Sequence, residues 1–478
     1  MARIAVIGAG MGAMAAAARL AVAGNRVAVY ERAETYGGGV RRYERDGFAF
    51  DTGPGLLRLP AVYRDLFVKT GREPLERCVE LTQTDPAARH HFADGTSVTL
   101  PSTSRAGVIA ALDTALGPGS GVRWSELVAR ARTVWEATRR PLLEEPLQPG
   151  HEALEHDPYP ALRRRGLLRR RTPELAGIAA DELRDARLAA LLESCAGAYG
   201  FLPGQAPASA AVLPYLEETF GTWYVRGGMR ELATAVYQRC LARRVEFHFG
   251  TAAERPLVRG GRAVGVELSG GGMVEADAVV WGGGPAIPGT EGTGAGTELT
   301  GTAGASARFT VLLALRGARP ADTVHRTVVH GADRRVTVLR PDDPALRPDE
   351  EHETAVLSVV LPATATAAAV AEPERLADEL LAAVDAAGLG LGARVLWRVP
   401  RTPRDNETET GTPGGLVPTP ALAGSRGAYL RAPNQASTAG LYRVGGWSHP
   451  GGGLAHAGMS GALAAGLFVG GADWRGSQ

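Results

Sequence analysis

The chain opens with Arg3-Ile4-Ala5-Val6-Ile7-Gly8-Ala9-Gly10-Met11-Gly12-Ala13, an apolar run that passes directly into closely spaced glycines. The apolar run predicts a short buried strand, and the alanine-rich residues 14–23 predict a helix that ends at Gly24. A second apolar run at residues 26–30 predicts another strand, with Glu31 directly after it. Strand, glycine turn, helix, strand and acid in this order are typical of a βαβ unit that binds a dinucleotide.

Each part of this unit has a physical role. Gly8 permits the tight turn, Gly10 lets the backbone approach a pyrophosphate, and Ala13 takes the small position where the helix packs on the strand. The free N–H groups and the positive dipole end of the helix face the phosphates. Glu31 can accept hydrogen bonds from an adenosine ribose, and its charge argues against NADP. The predicted contacts from this part of the chain are Gly8, Gly10, Met11, Gly12, Ala13, Glu31 and Arg32. FAD and NAD both remain open at this point.

The next segment distinguishes the two cofactors. Gly37-Gly38-Gly39 follows Glu31 by six residues, and residues 46–54 read Asp-Gly-Phe-Ala-Phe-Asp-Thr-Gly-Pro. With these motifs the chain resembles the phytoene desaturase-like flavoproteins of the flavin amine oxidase superfamily. The resemblance implies FAD as cofactor, with contacts from Gly38, Gly39, Val40, Gly53 and Pro54. Gly39 stands where that family usually has arginine, and Arg41 and Arg42 are the candidates to supply the missing charge.

A second glycine-rich motif lies near the other end of the sequence. Residues 441–455 predict a strand, a glycine loop and a helix that starts near Leu454. In the resembling family, the matching segment closes over the ribityl chain and the flavin ring, and the residue matching Ala253 contacts adenine through its backbone. The helix dipole at this place would stabilise an anionic reduced flavin. The implied contacts are Gly446, Trp447, Gly453, Leu454 and Ala455.

The pattern predicts an α/β fold with three units. A Rossmann-like FAD-binding domain is expected from the discontinuous segments 1–75, 220–285 and 405–478. A mixed β-sheet substrate domain is expected from 76–104 and 286–404, because Asp94-Gly95 between apolar alternations predicts a hairpin. Residues 105–219 are rich in Ala, Leu, Glu and Arg and predict a helical subdomain.

The composition narrows the classes of function. The formal net charge of the 478 residues is +1, which argues against a nucleic-acid partner. Cys78, Cys195 and Cys240 have no metal-ligand spacing, and we expect no metal site and a reducing, cytoplasmic location. No segment has the ~20 apolar residues of a membrane span. The arginine runs at 163–165 and 169–171 fit either a solvated helix face or contact with an anionic membrane surface. The sequence does not indicate an oligomeric state.

The resemblance implies hydride transfer between flavin N5 and a C–H of a hydrophobic polyene-like substrate of carotenoid, isoprenoid or polyketide type, usually in desaturation. Three alternatives stay open: an NAD(P)H-dependent flavin reductase or cyclase of natural-product biosynthesis, a non-redox FAD-dependent cis–trans isomerase, and a prenyl-binding escort protein. Amine oxidation is disfavoured, because the lysine and aromatic residues that such enzymes place beside the flavin look absent. The catalytic candidates are His449, His456, Trp223 and Tyr224, each with loop bonding, helix initiation or core packing as its competing interpretation.

Overall fold

A computed structural model describes residues 1–148, 150–160, 174–289, 305–331 and 334–476. The arginine runs at 163–165 and 169–171 lie outside these residues, so membrane contact stays a prediction. Within the described residues, no helix is both long and apolar enough to cross a membrane.

The strands of the described residues follow one another as β1 (Arg3–Ile7), β2 (Arg26–Tyr30), β3 (Arg42–Arg45), β4 (Phe48–Asp51), β5 (Leu57–Arg58), β6 (Leu81–Gln83), β7 (Ala88–Phe92), β8 (Ser97–Leu100), β9 (Thr222–Val225), β10 (Glu246–His248), β11 (Ala253–Arg259), β12 (Arg262–Leu268), β13 (Met273–Glu275), β14 (Ala278–Trp281), β15 (Ser306–Arg316), β16 (Arg326–His330), β17 (Arg335–Leu339), β18 (His352–Pro362), β19 (Val395–Arg401), β20 (Leu416–Val417) and β21 (Leu441–Arg443).

The α-helices of the same residues are α1 (Met11–Val22), α2 (Ala61–Gly71), α3 (Arg105–Leu116), α4 (Ser120–Arg139), α5 (Leu175–Ile178), α6 (Ala186–Ala198), α7 (Val212–Phe220), α8 (Met229–Ala242), α9 (Thr366–Ala371), α10 (Pro373–Ala386), α11 (Pro403–Thr410) and α12 (Leu454–Gly470). Helix α1 begins three residues earlier than the alanine-rich pattern predicts, because the tight turn is already complete at Gly10.

Strands from distant parts of the chain form one parallel sheet, in the order β10-β2-β1-β14-β21. Alternate residues of β1 face opposite sides of this sheet. Ile4 and Val6 belong to the core beneath α1, α8 and α12, whereas Ala5 and Ile7 pack against the small antiparallel sheet β11-β12-β13. Burial on both faces explains why β1 is apolar at almost every position, as in other covered parallel sheets.

A larger mixed sheet has the order β19-β15-β18-β17-β16-β7-β8, with β20 added beside β15. The predicted Asp94-Gly95 hairpin joins β7 to β8, and β7 pairs in parallel with β16, more than 200 residues later. Helix α10 covers one face of this sheet with Leu376, Leu380 and Val384. Burial of each such side chain contributes about 1.5–3 kcal/mol.

Helices α3, α4, α6 and α7 pack around a separate apolar core that includes Leu112, Leu127, Leu192 and Leu213. The combination of helices with parallel and mixed sheets confirms the predicted α/β class. The boundaries of the three predicted units stay predictions.

Candidate functional site

The glycine turn after β1 leaves a set of backbone donors free. Gly8 has a φ of +85°, which favours glycine, and its N–H donates to Tyr30 O at 2.8 Å. Gly10 precedes α1 without any side-chain cap, and no heavy atom of the described chain lies within 4 Å of where its Cβ would stand. The first N–H groups of an α-helix have no intrahelical acceptor. Those of α1, from Met11 onward, can therefore donate to an anion in front of Gly10.

Helices α1 and α12 touch through glycines. A Cβ at Gly12 would lie 2.7 Å from Ala457 O and 2.8 Å from Gly445 N. A Cβ at Gly461 would lie 2.4 Å from Gly12 O. Because real Cβ atoms do not approach a backbone this closely, only glycine permits the crossing at these positions. The crossing lies in the first turn of α1 and the first two turns of α12, so two positive dipole ends come close together.

Glu31 lies at the carboxyl end of β2, and 7% of its surface is exposed. Its Oε2 accepts from Ala9 N at 2.6 Å and its Oε1 from Ala33 N at 2.8 Å. Each carboxylate oxygen has a second acceptor site, so further hydrogen bonds remain available. Glu31 O also accepts from Thr251 N, which brings Ala253 at the start of β11 to the same end of the sheet.

Arg32, the residue after this carboxylate, is exposed and donates from Nη2 to Thr408 O at 2.6 Å.

The Gly37–Gly39 run lies directly against the first glycine turn. Gly37 N donates to Ala9 O at 2.8 Å, and a Cβ at Gly38 would stand 3.1 Å from Gly10 Cα. A Cβ at Gly53 would collide with Gly39 O at 2.0 Å, so the second motif closes against the first with no room for a side chain. Val40 is buried beneath this contact, and the neighbouring Pro54 is exposed.

Arg41 and Arg42 take different positions. Arg41 donates from Nε to Gly38 O at 2.9 Å and from Nη2 to Glu409 O at 3.0 Å. Arg42 pairs with Glu44 and Glu231 instead. Of the two candidates for the charge missing at Gly39, Arg41 is the one beside the glycine run.

Asp51 links the second motif to α8, a contact that the sequence did not predict. Its Oδ2 accepts from Met229 N at 2.8 Å and its Oδ1 from Arg230 N at 3.3 Å, so it caps the helix from 178 residues away. Burial raises the pKa of Asp51 to about 6, although these hydrogen bonds lower it. The available signal was the absence of any capping side chain at Gly228, which precedes α8.

The second glycine loop packs on the segment around Pro418. A Cβ at Gly452 would lie 1.7 Å from Pro418 O, and one at Gly446 would lie 2.5 Å from Pro418 Cγ. Trp447 Nε1 donates to Thr412 Oγ1 at 3.3 Å. Gly453 has a φ of +103° and is exposed.

Helix α12 starts at Leu454, as predicted. Leu454 O accepts from Tyr63 Oη at 2.8 Å, and Ala455 is buried behind it.

The two histidines of this motif differ in their contacts. His449 is fully buried, and its Nε2 hydrogen-bonds to Glu145 O at 2.9 Å. His456 makes no hydrogen bond to another described residue, and its Nδ1 lies 3.3 Å from where a Cβ of Gly453 would stand. Burial lowers the pKa of each imidazole to about 4. Both rings are therefore neutral near pH 7.

Trp223 and Tyr224 lie side by side on β9. Trp223 is half-buried and donates from Nε1 to Phe220 O at 2.9 Å. Tyr224 donates from Oη to Asp343 Oδ2 at 2.7 Å. Its ring lines a cleft between β4 and the mixed sheet, whose wall includes Phe50, Gly53, Gly55, His325 and Leu346.

Comparison with known families identifies the group to which this chain belongs. The profile of the flavin containing amine oxidoreductases matches residues 14–286. The chain belongs to this family. Membership confirms the resemblance stated above and the predicted flavin cofactor, FAD.

Individual relatives agree with this assignment. The chain is 34% identical over 278 residues to a zeta-carotene-forming phytoene desaturase of Myxococcus xanthus, a match that covers 58% of this chain and 52% of the relative. It is 33% identical over 291 residues to a hydroxyneurosporene desaturase of Cereibacter sphaeroides, covering 59% and 56%. The matched part thus spans about half the length of these relatives.

Solved structures agree on the fold alone. An oxidoreductase from Methanosarcina mazei is 18% identical, with a TM-score of 0.68 over 96% of this chain and 99% of that one. A putrescine oxidase triple mutant is 16% identical, with a TM-score of 0.67 over 98% and 99%.

The geometry of the residues around α1 and α12 fits FAD. Open space lies at Gly10 and again at Gly445, whose N lies 2.8 Å from where a Cβ of Gly12 would stand. Free N–H donors suit a pyrophosphate, and the unused acceptor sites of Glu31 suit a ribose.

Proposed function

We propose that this chain is an FAD-dependent oxidoreductase that desaturates a CH–CH bond of a hydrophobic, polyene-like substrate. FAD, when bound, supplies the hydride-accepting N5. The observation that carries the proposal is the glycine-mediated crossing of α1 and α12, which brings two helix N-termini from opposite ends of the chain to one site. The desaturase relatives support the substrate class of carotenoid, isoprenoid or polyketide type.

The residues around α1 would hold the cofactor. Gly10 leaves room for a pyrophosphate, and the first N–H groups of α1 donate to it. Glu31 accepts from the ribose, and the backbone near Ala253 lies at the same end of the sheet, where the adenine is expected. Arg41, bonded to Gly38 O, adds positive charge beside the glycine run.

The start of α12 would set the electrostatics at the reacting end. A helix N-terminus carries roughly half a positive charge, so this part of the site favours negative charge that develops during reaction. The surrounding side chains Tyr63, Tyr199 and Ala455 are buried and exclude water. Exclusion of water strengthens this electrostatic effect.

The four catalytic candidates differ in their availability. His449 Nε2 is engaged with Glu145 O, and Trp223 Nε1 with Phe220 O. Tyr224 Oη is likewise engaged, with Asp343 Oδ2. Among the described residues, His456 is the candidate whose ring makes no hydrogen bond. His456 is neutral near pH 7, so one ring nitrogen has a free lone pair, and burial makes this imidazole a weaker base than usual. We propose it as a proton acceptor beside the reacting C–H.

Anaerobic flavin reduction tests the proposal. We expect the purified protein to be yellow. An acyclic polyene that contains saturated CH–CH bonds between its double bonds should bleach the visible absorbance of the flavin. The saturated hydrocarbon squalane serves as the control and should leave the absorbance unchanged. Colourless protein that FAD cannot reconstitute would contradict the proposal. Bleaching by NAD(P)H alone would indicate a reductase, and a change of double-bond geometry without bleaching would indicate an isomerase.

A further inference from the structure

Three arginines from separate elements meet beneath the helical part of the molecule, and we call them the arginine cluster: Arg58 on β5, Arg308 on β15 and Arg326 on β16. Arg58 Nε lies 2.8 Å from Glu217 Oε1, and Arg326 Nη1 lies 3.1 Å from Glu217 Oε2. Among the described residues, Arg308 has no carboxylate partner. Within the same residues its side chain makes one hydrogen bond, from Nη2 to Ala198 O at 3.3 Å. Glu217 therefore pairs with two of the three guanidinium groups and leaves Arg308 without a counter-charge.

The neighbouring groups do not pair with Arg308. Glu218, the residue after Glu217, is buried nearby but accepts from Trp124 Nε1 and forms no ion pair with the cluster. Arg335 on the next strand is matched by its own partner, Glu193. His90 and His330 hydrogen-bond to each other at 3.0 Å in the interior. Burial lowers the pKa of His330 to about 3 and that of His90 well below its usual range, so both rings are uncharged. Buried charge without a partner is costly, which indicates that something else completes the cluster.

Two arginines of the cluster are not completely enclosed by the protein. Burial, with a smaller effect of Arg58, lowers the pKa of Arg308 to about 10, so its guanidinium is withdrawn from bulk water and still charged near pH 7. Arg308 is nevertheless only half-buried, and 17% of the Arg58 side chain is accessible. Both side chains therefore remain partly accessible to a small anion.

Tyr199 supplies a second, independent observation. Its side chain is 8% exposed, and its Oη is buried and has no hydrogen-bond partner within the part of the chain that the structure describes. The Arg58 guanidinium stacks over its ring at 4.7 Å. An unsatisfied buried hydroxyl destabilises the folded chain, and a hydrogen bond to a ligand oxygen would remove this cost.

Tyr199 also connects the cluster to the proposed flavin site. Its Cδ1 lies 4.0 Å from where a Cβ of Gly453 would stand, directly before α12. Arg58 and the residue before α12 thus both lie against the Tyr199 ring. A ligand that reaches the flavin can reach the arginines with another part of the same molecule.

We propose that the substrate carries an anionic oxygen group, a carboxylate or a phosphate, which Arg308 and Arg58 bind while its unsaturated chain lies toward α12. This inference rests on the proposed function and narrows its substrate class from hydrocarbons to polyene or isoprenoid anions. Guanidinium forks bind such groups with two parallel hydrogen bonds. Tyr199 Oη donates a further hydrogen bond to the same group.

Ligand binding to the FAD-loaded protein tests the inference, with the change in flavin absorbance as the signal. One pair of probes is all-trans-retinoic acid and its methyl ester, and the other is geranylgeranyl diphosphate and geranylgeraniol. We expect at least one anion to bind about tenfold to a hundredfold more tightly than its neutral partner, the usual range for a hydrogen bond to a charged group. The preferred anion shows whether the group is a carboxylate or a phosphate.

Substitutions of single arginines test which residue causes the preference for the anionic probe. Arg308→Met should abolish it and leave the affinity for the neutral probe unchanged, whereas Arg308→Lys should retain part of it. Arg316→Met is the matched control, because Arg316 lies exposed at the far end of the same strand and bonds to Ala393 O. A purely structural role for Arg308, as a cation at the end of α6, would lower stability without changing the anion preference.

Equal binding of anion and neutral probe by the wild type, or binding of neither anion, overturns the inference. So does a preference that survives in folded, FAD-loaded Arg308→Met. If that variant fails to fold, the wild-type comparison and Arg308→Lys still decide. Bleaching by a neutral polyene without anion preference would refute this inference alone. Anion preference without any flavin reduction would refute the proposed function alone.

Discussion

Alanine at Gly10 and at Gly12 should separate cofactor binding from folding, although the two glycines are only two residues apart. Gly10 faces open space, and its φ of −71° is accessible to alanine. Gly12 faces the backbone of α12 at 2.7 Å. We expect Gly10→Ala to weaken FAD binding while the apoprotein stays stable, and Gly12→Ala to destabilise the apoprotein itself.

The magnitudes follow from these contacts. At Gly12 the added methyl must displace Ala457 O and Gly445 N, and such overpacking costs about 1–3 kcal/mol. At Gly10 the apoprotein loses only a glycine N-cap preference, worth at most about 1 kcal/mol. The same methyl occupies the space where a pyrophosphate meets α1. Loss of one charge-assisted hydrogen bond there costs about 1.5–3 kcal/mol, or about tenfold to a hundredfold in Kd.

The assay has two parts. Urea unfolding of the deflavinated proteins gives the free energy of unfolding of each apoprotein, and titration with FAD, followed by flavin fluorescence, gives the dissociation constant. The reasoning is refuted if Gly10→Ala binds FAD like the wild type. It is equally refuted if Gly12→Ala unfolds at the same urea concentration as the wild type.

Three more predictions concern carboxylates. Glu31→Gln should weaken FAD binding about tenfold to a hundredfold, because a charged acceptor for the ribose is lost. An unchanged Kd in the same fluorescence titration would contradict the assigned contact between Glu31 and the ribose. Asp51 has a folded pKa of about 6, above its unfolded value, so its contribution to stability is complete below about pH 4 and is lost as the pH rises through 6. Relative to Asp51→Asn, the wild type should therefore lose about 2–3 kcal/mol of unfolding free energy between pH 4 and pH 7, and parallel pH profiles from urea unfolding would contradict this. Glu353 is fully buried and accepts hydrogen bonds from Arg340, at 2.7 and 2.8 Å, and from Arg394, at 2.8 Å. Glu353→Gln should therefore lower the free energy of unfolding, measured in urea, by about 3–5 kcal/mol. A decrease below about 1 kcal/mol would show that the arginines find other partners.

The parts that sequence reasoning predicted are those encoded by neighbouring residues. The turn at Gly8, the hairpin at Asp94-Gly95 and the start of α12 at Leu454 each depend on a few consecutive side chains and on the φ values that glycine allows. The α/β class follows from the same local signals, because a strand, a glycine turn and a helix in register define a βαβ unit.

The parts that sequence reasoning missed depend on contacts between distant residues. Asp51 caps a helix that begins 178 residues later, and nothing next to it in sequence marks it as a cap. Arg58 and Arg308 are 250 residues apart, in a chain where almost every positive charge is an arginine. In such a chain the sequence alone does not distinguish a buried arginine from an exposed one. The burial of Tyr199 Oη without a partner is likewise visible only in three dimensions.

The crossing of α1 and α12 also fixes the order in which the molecule is completed during synthesis. Strand β14 ends at Trp281, whereas its neighbour β21 begins at Leu441, so about 160 residues must leave the ribosome before the sheet gains its last strand. At about 5–20 residues per second this interval lasts roughly ten to thirty seconds. Throughout it, the glycine face of α1 has no partner, and the apolar residues beneath it are open to chaperones and to neighbouring chains. We therefore expect flavin loading to follow translation, because α12 must pack on α1 before the second helix N-terminus is in place.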